Sequence, residues 1–420
     1  MADLDAARDL LTFIDASPSP FHACATAAAR LDAAGFTRLA ETDEWPAQGR
    51  ARAYIVRDGS LVAWSVPSTA IATSPFRIIG AHTDSPNLRV KPHADVERAG
   101  AHLIAVEVYG GTLFNSWLDR DLGLSGRVAL RGGELPLINV DRPIARVPQL
   151  AIHLDREVNA SGLVLNPQHH LTPVWAIDTG GFKGFVAAEL GVAADDILSW
   201  DLMFHDITPG ALLGRDNELV SAARIDNLCS SWAAIEALTM ATSSSDTSVV
   251  VLFDHEEVGS SSNRGAMSPV LESVLERITL GLGGGREEWR RALAASICLS
   301  ADMAHATHPN YSERHEPGHL IELNGGPVVK TNVSQRYATD ARSAAAFIEA
   351  CEGANVPVQK YVHRNDLVCG STIGPITAAR LGIPTVDVGA PQLSMHSARE
   401  LMGSADAGLY KTALTAFLNP

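Results

Sequence analysis

The run Val249-Val250-Val251-Leu252-Phe253 contains no polar side chain, and it leads straight into Asp254, His255, Glu256 and Glu257. An unbroken apolar run of this length suits a strand buried on both faces rather than one with a wet side. Ionisable groups set against a core are costly unless they are paired or bound to a cation. The chain therefore needs a sheet covered on both sides, and something at the end of this strand that requires acids.

The rest of the pattern agrees with such a sheet. Helices are expected at about 3–16, where Leu4, Leu10, Leu11 and Ile14 share a face, and at about 21–34, with Ser17-Pro18-Ser19-Pro20 between them. Residues 51–66 read as a hairpin turning at Asp58-Gly59, and "FRIIGAH" (76–82) as a strand. From about 221 helices and strands alternate: helices at about 226–242, 287–295, 343–353, 372–382 and 404–418, and strands at 248–254, 296–301, 358–362 and 385–389. Between about 92 and 220, Gly, Pro and short alternating runs point to an antiparallel β-rich unit. The expected fold class is α/β, a mixed β-sheet sandwiched by helices. The expected domains are a discontinuous catalytic unit, 1–91 and 221–420, and a β-rich insertion, 92–220.

Composition narrows the partners. Lys and Arg number 33 against 48 Asp and Glu, a net charge of -15, which argues against nucleic acid or an anionic membrane. The N-terminus lacks the basic and apolar regions of a signal peptide, and no window reaches the ~18 apolar residues of a membrane span. Cys24, Cys229, Cys298, Cys351 and Cys369 are odd in number and include no C-x-x-C. They read as buried thiols of a cytoplasmic protein, neither a disulfide framework nor a thiolate metal site.

Strand ends in the α/β region repeatedly deliver metal-type residues: His82 and Asp84; His255, Glu256 and Glu257; Asp302 and His305; and His396, with Asp226 opening a helix. In open α/β sheets ligands bind beyond the carboxyl ends of strands, so these groups can converge. An N/O donor set without Cys suits Zn²⁺, and also Mn²⁺ or Co²⁺. Five donors and a spare carboxylate exceed one tetrahedral site and suit two metals about 3.5–4 Å apart. Alternation puts His82 and Asp84 on one side, so Asp84 can orient the imidazole. Adjacent Glu256 and Glu257 face opposite ways, which suits one ligand and one general base. Each residue also has a plain reading: Asp226 as a helix cap, His82 as a core histidine, the Glu pair as a solvated helix start. His255 reads as either a partner to the ligands or packing. His169-His170 reads as loop, and the Gly-rich 281–285 as a turn without a phosphate-loop ending.

Taken together, "SPSPFHA", "GAHTDSPNLRVKP", "ARIDNLCSSWAAIEAL", "DHEEVGSSSNRGA", "SADMAHATHPNY", "NGGPVVKTNVSQRYATD" and "GSTIGPITAARLGIPTVDVGAPQLSMHSARE" resemble the aspartyl aminopeptidase family of cocatalytic zinc peptidases. The resemblance runs in order along nearly the whole chain. It implies His82 and Asp302 on one metal, Glu257 and His396 on the other, and Asp226 bridging. It implies Glu256 as general base and Asp84 as the orienter of His82. His153 matches a histidine that either reaches the neighbouring subunit's site or binds zinc. The resemblance also implies that the β-rich insertion dimerises and that dimers build a tetrahedral dodecamer.

The expected activity is removal of the first residue from peptides with a free N-terminus, Asp or Glu preferred. Lys330, with Arg336, His305 and His308 nearby in sequence, would receive the side-chain carboxylate. The rival readings are broader specificity, another binuclear amidohydrolase such as a carboxypeptidase or deacylase, and a noncatalytic assembly or cargo-binding protein.

Overall fold

A computed structural model describes residues 4–45, 52–177, 181–242 and 245–419. The expected helix start at residue 3 and the first hairpin residue, Ala51, lie outside the described residues.

The opening apolar run forms the strand Thr247–Phe253, and every residue of it is buried. Val250 and Leu252 enter one core, while Val249, Val251 and Phe253 enter another. Alternation thus sends successive side chains into two dry layers, which is why no position in the run is polar. This strand pairs in parallel with Phe76–His82, which pairs in parallel with Ile297–Ala301, and that in turn with Thr385–Gly389. Their carboxyl ends therefore share one edge. Antiparallel strands flank the four: Ser60–Ser65 against Thr247–Phe253, and Val328–Thr331 against Thr385–Gly389. The hairpin turn is at Asp58-Gly59, where Asp58 adopts a φ of 57°.

Helices Asp5–Asp15, Pro20–Ala33, Ile225–Thr239, Ala341–Gly353 and Ser404–Leu418 cover one face of this nine-stranded sheet. Helices Val270–Gly281, Arg286–Ala295 and Ile373–Leu381 cover the other. The Ser-Pro repeat explains the break between the first two helices. Ser19 accepts from the His22 N–H at the second helix's start, and Pro20 occupies its first turn, where no N–H is needed. No helix of the described residues is long and apolar enough to cross a membrane.

A second sheet of six antiparallel strands has the order 137–145, 122–130, 197–206, 87–98, 101–109, 174–176. It carries its own core around Leu88, Ile104, Leu124 and Phe204. Its strands begin at Asn87 and end at Asp206. Residues 211–213 pair instead with 219–222, and 219–222 with Glu400–Gly403, in a third, smaller sheet. Helix Val270–Gly281 was not anticipated from the sequence, and the helix expected to end near 242 ends at Thr239.

Candidate metal centre

The four parallel strands stop at one edge, and the residues just beyond them converge. His82 ends its strand; Asp254 to Glu257 follow Phe253; Asp302 follows Ala301; and the loop after Gly389 leads to His396. Asp226 arrives from the start of the Ile225–Thr239 helix. His255 turns the chain with a φ of 65°, so the two glutamates that follow swing back over the strand ends. Its own ring points elsewhere. Arg264, which can only donate, holds Nε2 at 3.1 Å, and Ser262 lies 2.8 Å from Nδ1. His255 is therefore a packing residue.

The donor atoms form two sets that share one carboxylate. His82 Nε2 lies 3.6 Å from Asp226 Oδ1, 3.7 Å from Asp302 Oδ1 and 3.9 Å from Glu256 Oε2. His396 Nε2 lies 3.3 Å from Asp226 Oδ2 and 3.3 Å from Glu257 Oε1. A tetrahedral ion with donor bonds of about 2.0–2.1 Å sets its donors about 3.3–3.4 Å apart, close to these spacings. Asp226 turns one oxygen toward each histidine, the arrangement of a bridging carboxylate. Its Oδ1 and Glu257 Oε1 are buried without a hydrogen-bond partner. Asp226 does not cap its helix; its N–H donates to Glu400 Oε2 at 2.9 Å. Buried, unpartnered carboxylate oxygens at ligand spacing fit a pair of divalent cations.

Electrostatics make the same point. Burial pushes the Glu256 carboxyl up to about 8, and the Asp302, Asp84 and Asp226 carboxylates add to it against the pull of His82. Burial, with Asp226 and Glu256, drives Glu257 well above the usual carboxylate range. Burial alone would lower His396, but its bond to Asp226 and the charge of Glu257 raise it to about 10. His82 is likewise raised, as bonds to Asp302 and Asp84 outweigh burial. Two glutamates and two imidazoles that hold protons this tightly, beside further buried carboxylates, form a cluster seeking positive charge.

Asp84 contacts His82 and other segments as well. The His82 Nδ1 bond runs to the Asp84 backbone carbonyl at 2.9 Å, with carboxylate Oδ1 farther, at 3.4 Å. The fully buried carboxylate also accepts from the Glu256 and Glu257 N–H groups, each at 3.1 Å, and from the Tyr109 hydroxyl at 2.7 Å. It fixes the turn that aims both glutamates. Glu400 plays a parallel part, accepting the N–H of Asp226 and, at 2.7 Å, that of His396.

The family model for the aminopeptidase I zinc metalloproteases (M18) matches residues 13–418. The chain belongs to the M18 family. It is a metallo-aminopeptidase, of a family described as zinc metalloproteases. A probable M18 family aminopeptidase 2 from Streptomyces coelicolor is 54% identical over 420 residues, covering 98% of this chain and 97% of that one. One of the same description from Mycobacterium tuberculosis is 55% identical, with 98% of each chain covered. Among solved structures, a chain of the Ape4 and Nbr1 complex matches with a TM-score of 0.94 at 36% identity, over 98% of this chain and 85% of that one. The Saccharomyces cerevisiae mApe1 dodecamer matches at 0.86 and 29%, over 99% and 96%. An M18 aminopeptidase from Thermotoga maritima, 22% identical with a TM-score of 0.88 over 98% and 95%, shares the fold.

In this M18 chain a cavity of about 480 Å³ opens over the cluster. His82, Asp226, Glu256, Glu257, Asp302 and His396 line it, and so do His305 and Lys330. Lys330 is buried, and its Nζ donates to the Asp302 and Met303 carbonyls at 2.9 and 3.2 Å. Arg336 and His308 do not line the cavity. Arg336 is exposed, with its Nε donating to the Cys369 carbonyl. His153 is exposed in the turn Ile152–Leu154 and contributes nothing to its own chain's cavity. Sequence reasoning passed over Tyr109 and Glu400. Each acts through a contact to another segment, so no local pattern marks it.

Proposed function

We propose that this M18 enzyme removes the first residue of free-amine peptides, acidic residues preferred, using two divalent cations per subunit. The observation that carries the reading is Asp226, whose two oxygens face two separate histidine-and-carboxylate sets. His82 and Asp302 would hold one cation, Glu257 and His396 the other, with Asp226 between them. Zinc is the first choice and Co²⁺ or Mn²⁺ the alternatives. When bound, the pair supplies Lewis acidity to a water and to the scissile carbonyl. Glu256 takes the proton of the attacking water and returns it to the leaving amine. Its position beside the His82 set supports that role, and so does a burial that favours holding a proton. Asp84 keeps Glu256 and Glu257 aimed through their backbone N–H groups.

Lys330 supports the acidic preference. An ammonium has three N–H donors, and the two carbonyls take two of them. The third makes no hydrogen bond among the described residues and would meet a side-chain carboxylate, with His305 on the same wall and the Tyr337 ring 5.1 Å away. The insertion expected at 92–220, whose six-stranded sheet runs from Asn87 to Asp206, is a dimerisation unit in a homo-oligomer like the mApe1 dodecamer. Exposed Leu150, Ile152, Leu154 and Val164 offer an apolar surface for that assembly. Five free, buried cysteines fit a reducing, cytoplasmic setting.

The test is a panel of peptides differing only in the first residue, run after chelation and reconstitution with Zn²⁺, Co²⁺ or Mn²⁺. Acidic first residues should give the highest kcat/KM, and an N-acetylated twin should survive intact. Equal turnover of the blocked twin would assign the site to a deacylase or another amidohydrolase. A flat profile across first residues would replace the acidic preference by broad specificity.

A further inference from the structure

The end of the strand Ala101–Tyr109 leaves the second sheet and enters the metal centre, and three consecutive residues there touch three different parts of it. The Tyr109 hydroxyl donates to Asp84 Oδ2 at 2.7 Å. Its ring is held in turn by the Arg89 guanidinium, 4.0 Å above the centroid. Gly110 has a φ of 72°, and a Cβ added there would meet the Glu257 Cβ at 3.1 Å. Gly111 offers its carbonyl to His396 Nδ1 at 3.1 Å, and a Cβ there would stand 2.9 Å from that same nitrogen. Just beyond, the Leu113 N–H donates to the His396 carbonyl at 3.1 Å, and the Ser116 hydroxyl accepts the Ala398 N–H at 2.8 Å.

The geometry points to Tyr109-Gly110-Gly111 as a positioning element for the metal pair, by which the six-stranded sheet completes a site whose donors all lie outside it. A carbonyl can only accept, so the contact from Gly111 places the proton of His396 on Nδ1. Nε2, which faces Asp226 and Glu257, is then the nitrogen that a cation would take, displacing its proton. Tyr109 fixes the carboxylate that aims Glu256 and Glu257. Glycine is required at 110 by backbone conformation and at 111 by space. The element therefore acts unevenly: Gly111 governs the cation held by His396 and Glu257, while Tyr109 governs the glutamate turn.

This inference rests on the two-cation reading, and the experiment separates the two. Metal-free wild type, Gly111→Ala and Tyr109→Phe are titrated with Co²⁺, followed by visible absorption, and competed with a chelator of known affinity. Two binding steps in wild type are needed first; a single step or none overturns the two-cation reading itself. Given two steps, Gly111→Ala should weaken one by ~10–100-fold and leave the other within ~3-fold. Tyr109→Phe, which keeps the ring over Arg89, should keep both steps within ~10-fold and lower kcat with little change in KM. A part that is only structural would lower the melting temperature of the metal-free protein and weaken both steps together. That result overturns the proposal, as does wild-type binding and turnover in both variants. Should Gly111→Ala fail to fold, the Tyr109→Phe kcat decides.

Discussion

On the proposed reading Asp226 holds cations and Glu256 handles protons, so substitutions at the two should part company. Asp226→Asn removes a charge facing both histidines; metal content by atomic emission should fall well below that of wild type, and turnover with it. Glu256→Gln keeps shape and should keep the metals, while kcat drops by about 10²–10⁴-fold. Full turnover by Glu256→Gln would remove it as the base. Lys330→Met should lower kcat/KM for an Asp-first peptide by about 10–100-fold, the scale of one charge-assisted hydrogen bond, and leave a Leu-first peptide less affected. Equal losses on both would mean that the ammonium only braces the Asp302 and Met303 carbonyls. The convergence of His82, Asp226, Glu257, Asp302 and His396 was readable in advance, because donor-type residues stood beyond strands whose apolar runs announced them. Tyr109 and Glu400 were not, since their partners lie 25 and 174 positions away and are a carboxylate and a backbone N–H.

The strand Thr247–Phe253 shows what the apolar run already implied about its surroundings. Leu252 is fully buried in the core that holds the Ile225–Thr239 helix. Leu252→Ala should cost about 2–5 kcal/mol, read as a shift in the urea midpoint at constant slope. A loss under about 1 kcal/mol would mean that the layer collapses to refill the gap. Helix Val270–Gly281, absent from the expectation, does carry the periodic signal in Val270, Val274 and Ile278. The Gly-rich run after it and Pro269 before it make that stretch resemble a loop. The third small sheet was illegible for a different reason. It joins residues 219–222 to 400–403, and neither segment is long enough to announce a partner.

For the whole molecule, the acid cluster sets how stability responds to pH and to cations. Glu256 and Glu400 are each raised from 4.5 to about 8, and His396 from 6.5 to about 10. In the metal-free protein the folded state therefore keeps protons that the unfolded chain has released, and stability falls as pH rises through that range. His22 and His205, lowered to about 4 and about 3, work in the opposite sense but only below their unfolded value of 6.5. From about pH 7 to 9 the two histidines no longer contribute, and the cluster acts in the same downward sense as Asp406, raised to about 7, and the buried thiols, raised from 9.0. The melting temperature of chelated protein should decline across that range, and Zn²⁺ should both raise and flatten the curve. A chelated protein that grows more stable from pH 7 to 9 would contradict the electrostatic picture. The proposed donors stand at positions 82, 226, 257, 302 and 396, so on that reading no short stretch of the polypeptide owns the chemistry. On that reading a nascent chain not yet extended through His396 would lack one proposed ligand and could not complete the site, however much of the sheet precedes it.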